Sequence, residues 1–285
     1  MRLTVQYDGT DLYGFQRQKD PAKPTVQSLL EQAGRELLGH PIAVVGAGRT
    51  DAGVHAVGQV AHFRTRSPIP VERIAPALNH RLPASVRVVE ASEAPAGFHA
   101  RRDATSRIYC YHVLQHPRQA ALLGRFSLWW PQRLDVEAMV AVTARLTGRH
   151  RFDGFGSPTR RGATTWRTLY GCQVDVQEIP GGRWVRLCFE ADAFLYRMVR
   201  RMVGALLRVG EGKLPAERVL DALEHPEDYR APLAPAVPAR GLVLVHVHYG
   251  APPAGLGGCG GILDTLSGLW LEWPRGYPGQ PGACS

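Results

Sequence analysis

Two apolar rhythms alternate along this chain, and they do so twice in a similar order. Residues 2–7 alternate, with Leu3, Val5 and Tyr7 on one face, and a period of two builds a strand with one buried side. Residues 26–38 change to helical spacing through Val26, Leu29, Leu30, Ala33, Leu37 and Leu38. Thr25 suits the N-cap and Gly39 the stop. Short strands are predicted near 42–47 and 57–63, then a helix near 70–81 weakened by Pro76, then a strand over 85–91. That order is βαββαβ. In the second run, a strand over 106–114 precedes a helix over 136–147, capped by Asp135 and stopped by Gly148. A hairpin over 168–177 and 183–190 turns at Pro180-Gly181-Gly182. A long helix at about 194–209 and a strand over 242–249 close the pattern. The expectation is an α/β (α+β) protein of two halves, 1–100 and 101–250, joined near 95–105.

The segment 251–285 breaks the rhythm. Glycine and proline fill 14 of its 35 positions, which predicts an irregular appendage. The length of 285 residues fits two domains, and the 45% of hydrophobic residues suffices for a core. No apolar run approaches the roughly 20 residues that a membrane-spanning helix needs. MRLTVQYDGT alternates too early for a signal peptide. A soluble cytoplasmic protein is expected. The five cysteines are odd in number and lack CxxC spacing, which fits reduced thiols and no zinc site. His246 and His248 share a strand face, but no third ligand is near in sequence, so no metal site is predicted.

Charge gives the first pointer to a partner. The formal net charge is +9, and 31 of the 34 cationic side chains are arginine. Arginine contacts phosphate bidentately and stacks on bases, so a polyanionic partner is expected.

Between the strands near 42–47 and 57–63 lies Val45-Gly46-Ala47-Gly48-Arg49-Thr50-Asp51-Ala52-Gly53-Val54-His55-Ala56. Gly46-x-Gly48 suggests a dinucleotide loop. The third glycine of that fingerprint falls at Asp51, and no long helix follows, so the reading fails. Two readings of Asp51 remain: an Asx-type turn, or an acid held on a stiff loop with Arg49 beside it for an anionic substrate.

The run Ala47-Gly48-Arg49-Thr50-Asp51-Ala52-Gly53-Val54-His55-Ala56 resembles the signature of the tRNA pseudouridine synthase A family. Further similarities follow in that family's order. Before the run stand Tyr7-Asp8-Gly9, Gly14-Phe15-Gln16-x-Gln18 and Thr25-Val26-Gln27. After it come Gly58-Gln59-Val60-x-His62-Phe63, Leu78-Asn79-x-x-Leu82-Pro83, Phe98-His99-Ala100-Arg101 and Arg107-x-Tyr109-x-Tyr111. Phe194-Leu195, Met198-Val199-Arg200, Val203-Gly204 and Ala239-Arg240-Gly241-Leu242 complete the set. The resemblance covers about residues 3–249. It departs at His150-Arg151-Phe152, where the family often has aspartate in the middle, and in the tail.

The resemblance implies the pseudouridine synthase fold, with two RRM-like halves forming a large, mostly antiparallel mixed sheet flanked by helices. It implies conversion of uridine to pseudouridine at positions 38, 39 and 40 of the tRNA anticodon stem-loop. It also implies a homodimer with one tRNA bridging both subunits, and no cofactor. Asp51 would be the nucleophile, Tyr109 the active-site tyrosine and Arg200 the partner of Asp51. A strand tyrosine can instead be core, and Arg200, at the apolar edge of its predicted helix, can instead snorkel. Arg49 would insert beside the flipped nucleotide or hold its phosphate. Arg101 and Arg107, with Arg102, Arg160, Arg161 and Arg197, would follow the RNA backbone. Two rivals stand beside this reading: a non-catalytic RNA-binding module, and a carboxylate-dependent nucleosidase with Asp8 as its second acid.

Overall fold

Alternation at the N-terminus is realised as β1 (Arg2–Tyr7), with Leu3, Val5 and Tyr7 buried and Arg2, Thr4 and Gln6 not. The structure is a computed structural model and describes residues 1–158, 162–229, 231–251 and 256. The expectations placed on Arg160, Arg161 and most of the 251–285 tail lie outside those residues.

The chain divides into two compact units. Met1–Cys110 and Pro238–Pro252 form the first; Tyr111–Val237 and Pro253–Ser285 form the second. In the first, β1 is followed by α1 (Val26–Leu38), β2 (Val45–Gly46), β3 (His55–His62), α2 (Val71–Asn79) and β4 (Val86–Ser92). α1 starts where Thr25 accepts a hydrogen bond from Ser28 N and Ser28 Oγ accepts one from Thr25 N, and it stops at Gly39, φ 72°. α2 packs on β4 and α1 on α2. β1 lies between β3 and β4, antiparallel to both. β10 (Leu242–Tyr249) returns to this unit and pairs parallel with β3. The order is β4-β1-β3-β10-β5, with β2 antiparallel on the other part of β3. Strand β5 (Ala104–Gln115) begins in this unit and ends in the second.

In the second unit the order is β5-β9-β8-β7. β7 (Gly148–Arg151), β8 (Trp166–Ile179) and β9 (Gly182–Ala191) pair antiparallel, and β6 (Leu128–Trp130) pairs parallel with β5. Helix α3 (Val136–Leu146) is capped by Asp135, whose carboxylate accepts from Ala138 N at 2.9 Å, and it packs on β8. Helices α4 (Met198–Gly210) and α5 (Ala216–Glu224) pack on α3. The α/β class and the mostly antiparallel sheet with flanking helices are therefore present.

Four features differ from expectation. Of the strand near 42–47, β2 takes in only Val45–Gly46. Gly148 opens β7 at φ 119° and does not cap α3. The helix near 194–209 begins at Met198, because Arg197 adopts φ 60° and cannot continue a right-handed turn. Cys110 and Cys188, both buried, are disulfide-bonded, which corrects the expectation of reduced thiols; Cys172 is free. Count and spacing do not report which thiols a sheet brings within bonding reach.

Candidate active site

The glycine-rich segment is the connection of a β-hairpin. Val45 faces His62 and Gly46 faces Ala61, and Ala47 N extends the ladder to Val60 O at 2.7 Å. The chain then leaves the sheet at Gly48 and rejoins it at His55. Asp51 sits at the far side of this excursion, half-buried, while Arg49 is exposed and Thr50 buried.

Long loops usually move, but this one is tied along its backbone. Phe15 N donates to Thr50 O at 3.1 Å, and Gly53 N donates to Leu12 O at 3.3 Å. A turn closes around Ala52–Gly53, with Val54 N donating to Asp51 O at 3.2 Å and Gly53 at φ 77°. The segment Leu12–Phe15 forms its outer wall. Gly14 allows that contact: it holds φ 86°, and a Cβ there would stand 2.5 Å from Thr50 O.

Beneath the loop lies a set of buried polar side chains. Gln59, fully buried on β3, donates through Nε2 to Gly48 O at 3.0 Å and to the Tyr7 hydroxyl at 3.4 Å. The Tyr7 hydroxyl and Thr50 Oγ1 are 2.8 Å apart. Burial, eased by its bonds to Thr50 and Gln59, pushes the Tyr7 phenol up to about 12. Arg107 is 8% exposed, and its guanidinium donates to Ala47 O at 3.1 Å, Arg101 O at 2.7 Å and Ala104 O at 3.1 Å.

Tyr109 follows two residues along β5, on the same face as Arg107 by alternation. It is 8% exposed, and its hydroxyl would stand 3.6 Å from a Cβ on Gly48. Burial raises the Tyr109 phenol above its ordinary value most. Tyr7 and the Asp51 carboxylate raise it further, and Arg107 opposes them. Asp51, Tyr109 and Tyr7 therefore share one electrostatic neighbourhood.

The other sequence candidates are placed as follows. Arg101 and Arg102 are exposed in the turn after His99, whose Nδ1 accepts from both backbone amides. Asp8 Oδ1 accepts from Thr10 N and Thr10 Oγ1 and lies 3.2 Å from His55 Nδ1, so the proposed second acid is engaged in its own turn. His55 Nδ1 lies 3.1 Å from Gly9 N, and Nε2 lies 3.1 Å from Arg240 O, which ties the end of the loop to two other segments. The His246 and His248 rings stand edge to face, 4.4 Å between centroids. In the second unit, Arg200 is half-buried on α4. Its Nε donates to Val237 O at 2.7 Å, and its carbonyl accepts from Val237 N at 3.2 Å. Arg197 is exposed, with its guanidinium 4.9 Å from the centroid of the Tyr196 ring.

Sequence reasoning did not single out the roles of Tyr7, Thr50 and Gln59 beneath the loop. A hydroxyl and an amide in otherwise apolar strand rows were the available signal, because buried polar groups are bonded to something.

Comparison with known families matches tRNA pseudouridine synthase over residues 3–103 and 142–250. The chain is 44% identical over 255 residues to tRNA pseudouridine synthase A of Frankia casuarinae, covering 89% of this chain and 90% of that one. It is 43% identical over 247 residues to tRNA pseudouridine synthase A of Thermus thermophilus, covering 87% and 95%. Against tRNA pseudouridine synthase A 2 of Clostridium perfringens, identity is 34% over 249 residues, covering 87% and 99%.

Proposed function

Because the chain belongs to the tRNA pseudouridine synthase family and is an RNA pseudouridine synthase, we propose that it isomerises uridines at positions 38, 39 and 40 of the tRNA anticodon stem-loop, with Asp51 as nucleophile. The observation that carries this reading is the half-buried carboxylate on a backbone-tied loop, in the electrostatic neighbourhood of the buried Tyr109 phenol.

Each group has a task in that reaction. The Asp51 carboxylate attacks either C1′ of the ribose or C6 of the base, and can later leave. The N1–C1′ bond breaks and the base turns. The C5–C1′ bond then forms, C5 loses a proton and N1 gains one. Substrate and product are isomers, so no redox cofactor is required. The Tyr109 ring stacks on the extruded uracil, and its phenol, held protonated, offers a hydrogen bond. Arg200 is proposed, on the resemblance of Met198-Val199-Arg200, as the cation that keeps Asp51 ionised. Exposed Arg49 supports the flipped nucleotide, and exposed Arg101 contacts the RNA backbone. Arg107 serves the same surface from below, since its guanidinium holds the carbonyls of Ala47 and Arg101. A homodimer bridged by one tRNA, working in the cytoplasm, completes the proposal. No described helix is long and apolar enough to cross a membrane.

The test is a metal-free incubation of the full chain with unmodified tRNA transcript, followed by pseudouridine mapping. Wild type is expected to form pseudouridine at 38–40. Asp51→Asn is expected to bind the transcript and form none, because an amide is a poor nucleophile. Product from Asp51→Asn removes the carboxylate from the mechanism, and free uracil from wild type points to the nucleosidase.

A further inference from the structure

The buried polar side chains beneath the loop need an explanation that packing does not give. Phenylalanine, leucine and valine would fill the space of Tyr7, Gln59 and Thr50 with little or no loss of stability, because paired polar groups replaced together by apolar groups of the same shape can be nearly neutral, whereas a buried polar atom left unpaired is costly. The pairing is also incomplete: among the described residues, the buried Gln59 Oε1 has no hydrogen-bond partner. An arrangement kept despite that cost suggests a purpose other than stability.

Its geometry indicates the purpose. Gln59 Nε2 donates to Tyr7 Oη, and Tyr7 Oη and Thr50 Oγ1 share a hydrogen bond that either hydroxyl can donate, so one continuous chain of bonds links Gln59, Tyr7 and Thr50. The same amide donates to Gly48 O. The contacts therefore land at Gly48 and Thr50, on either side of Arg49 and immediately before Asp51. β1 is adjusted to deliver Tyr7. The pairing with β3 runs Val5 to Gln59 and then Tyr7 to Ala56, an irregularity that re-aims the side chain at the strand end. Burial keeps the Tyr7 phenol protonated up to about 12, so at neutral pH it is a neutral hydroxyl in the chain of bonds and not a proton carrier.

We propose that Tyr7 and Gln59 are positioning residues for Asp51, a buried relay that acts through Thr50 and the Gly48 carbonyl to hold the carboxylate in attacking geometry. The inference rests on the reading of Asp51 as nucleophile. A nucleophile misplaced by a fraction of an ångström still lets RNA bind but reacts more slowly.

The experiment measures single-turnover conversion and transcript Kd for the full chain, with the unfolding midpoint of each variant. Tyr7→Phe and Thr50→Val are each expected to slow conversion about tenfold, with Kd within about twofold of wild type. Thr50→Ser keeps the hydroxyl and is expected to recover most of what Thr50→Val loses. The double variant Tyr7→Phe/Thr50→Val is expected to be no slower than the slower single, because both remove one link. Wild-type conversion in both singles overturns the proposal. So does a rate loss matched by an equal loss of affinity, or a double variant whose losses multiply. Should Tyr7→Phe not fold, the Thr50→Val and Thr50→Ser pair decides alone. Asp51→Asn is run in parallel. Product from it overturns the nucleophile reading itself. An inactive Asp51→Asn beside full-rate Tyr7→Phe and Thr50→Val overturns only the relay.

Discussion

At the scale of single residues, Arg107 shows what sequence can and cannot assign. Alternation along β5 puts it on the face of Tyr109, and an arginine in a basic chain reads naturally as an RNA contact. The structure instead buries the side chain against three carbonyls, at Ala47, Arg101 and Ala104. A guanidinium presents a rigid fork of five donors, and an ammonium on a flexible stem cannot reproduce those contacts. Arg107→Lys is therefore expected to lower the unfolding free energy by about 2 kcal/mol, the scale of hydrogen bonds to a charged group, with transcript affinity little changed. Urea unfolding and filter binding check both parts. Unchanged unfolding with weakened binding makes Arg107 a direct RNA contact. The rest of the site divides along the same line. Asp51 and Arg49 were legible because glycines and opposite charges crowd into ten consecutive residues. The bonds from Tyr7 to Thr50 and from Arg107 to Ala47 were not, because those partners lie 43 and 60 positions away in sequence, and a tyrosine in an apolar row has the same pattern whether its hydroxyl is idle or engaged.

Elements were most readable where one residue settles a boundary. Thr25 and Gly39 bound α1 as expected, and Asp135 starts α3. Boundaries failed where a main-chain dihedral, not composition, decides them: nothing about Arg197 announces φ 60°. β10 was readable as a strand, but its parallel pairing with β3 was not, since periodicity reports a buried face and not a neighbour. The ends of these two strands carry a consequence for pH. Burial lowers the pKa of His62 below its ordinary 6.5, and His99, the N-terminal amine and Arg64 lower it further, against one hydrogen bond to the Val45 backbone that raises it. Burial, then His248 and Arg2, lower His246. With folded pKa values below 6.5, the unfolded chain binds more protons just under that pH. Stability is then fully present above about 6.5 and falls as pH drops toward the folded values. The urea midpoint is expected to be lower at pH 5.5 than at 7.5, and His246→Gln is expected to flatten the dependence. Equal midpoints for wild type at the two pH values sink the prediction.

Across the whole molecule, the readable property was charge and the unreadable one was contiguity. Reading along the chain yields halves in succession, 1–100 and 101–250. That succession says nothing of which strands become neighbours: β10, near the end of the described chain, pairs parallel with β3. Charge needs no topology. A net +9 carried mainly by arginine acts on any polyanion. Each arginine that neutralises a phosphate releases condensed counterion, so the logarithm of affinity falls linearly with the logarithm of salt, by about 0.7 to 0.9 per contact. Exposure divides the arginines of the site into two groups. Arg49 and Arg101 are exposed and free to meet phosphates, whereas Arg107 is held by carbonyls. Arg49→Ala and Arg101→Ala are each expected to make the salt dependence of transcript binding shallower by about one contact, and Arg107→Lys to leave the slope unchanged. Titrations of Kd against KCl measure all three. A wild-type slope near zero would remove the electrostatic account of tRNA binding. A slope that shifts with Arg107→Lys but not with Arg49→Ala would place the phosphate contacts on the wrong arginines.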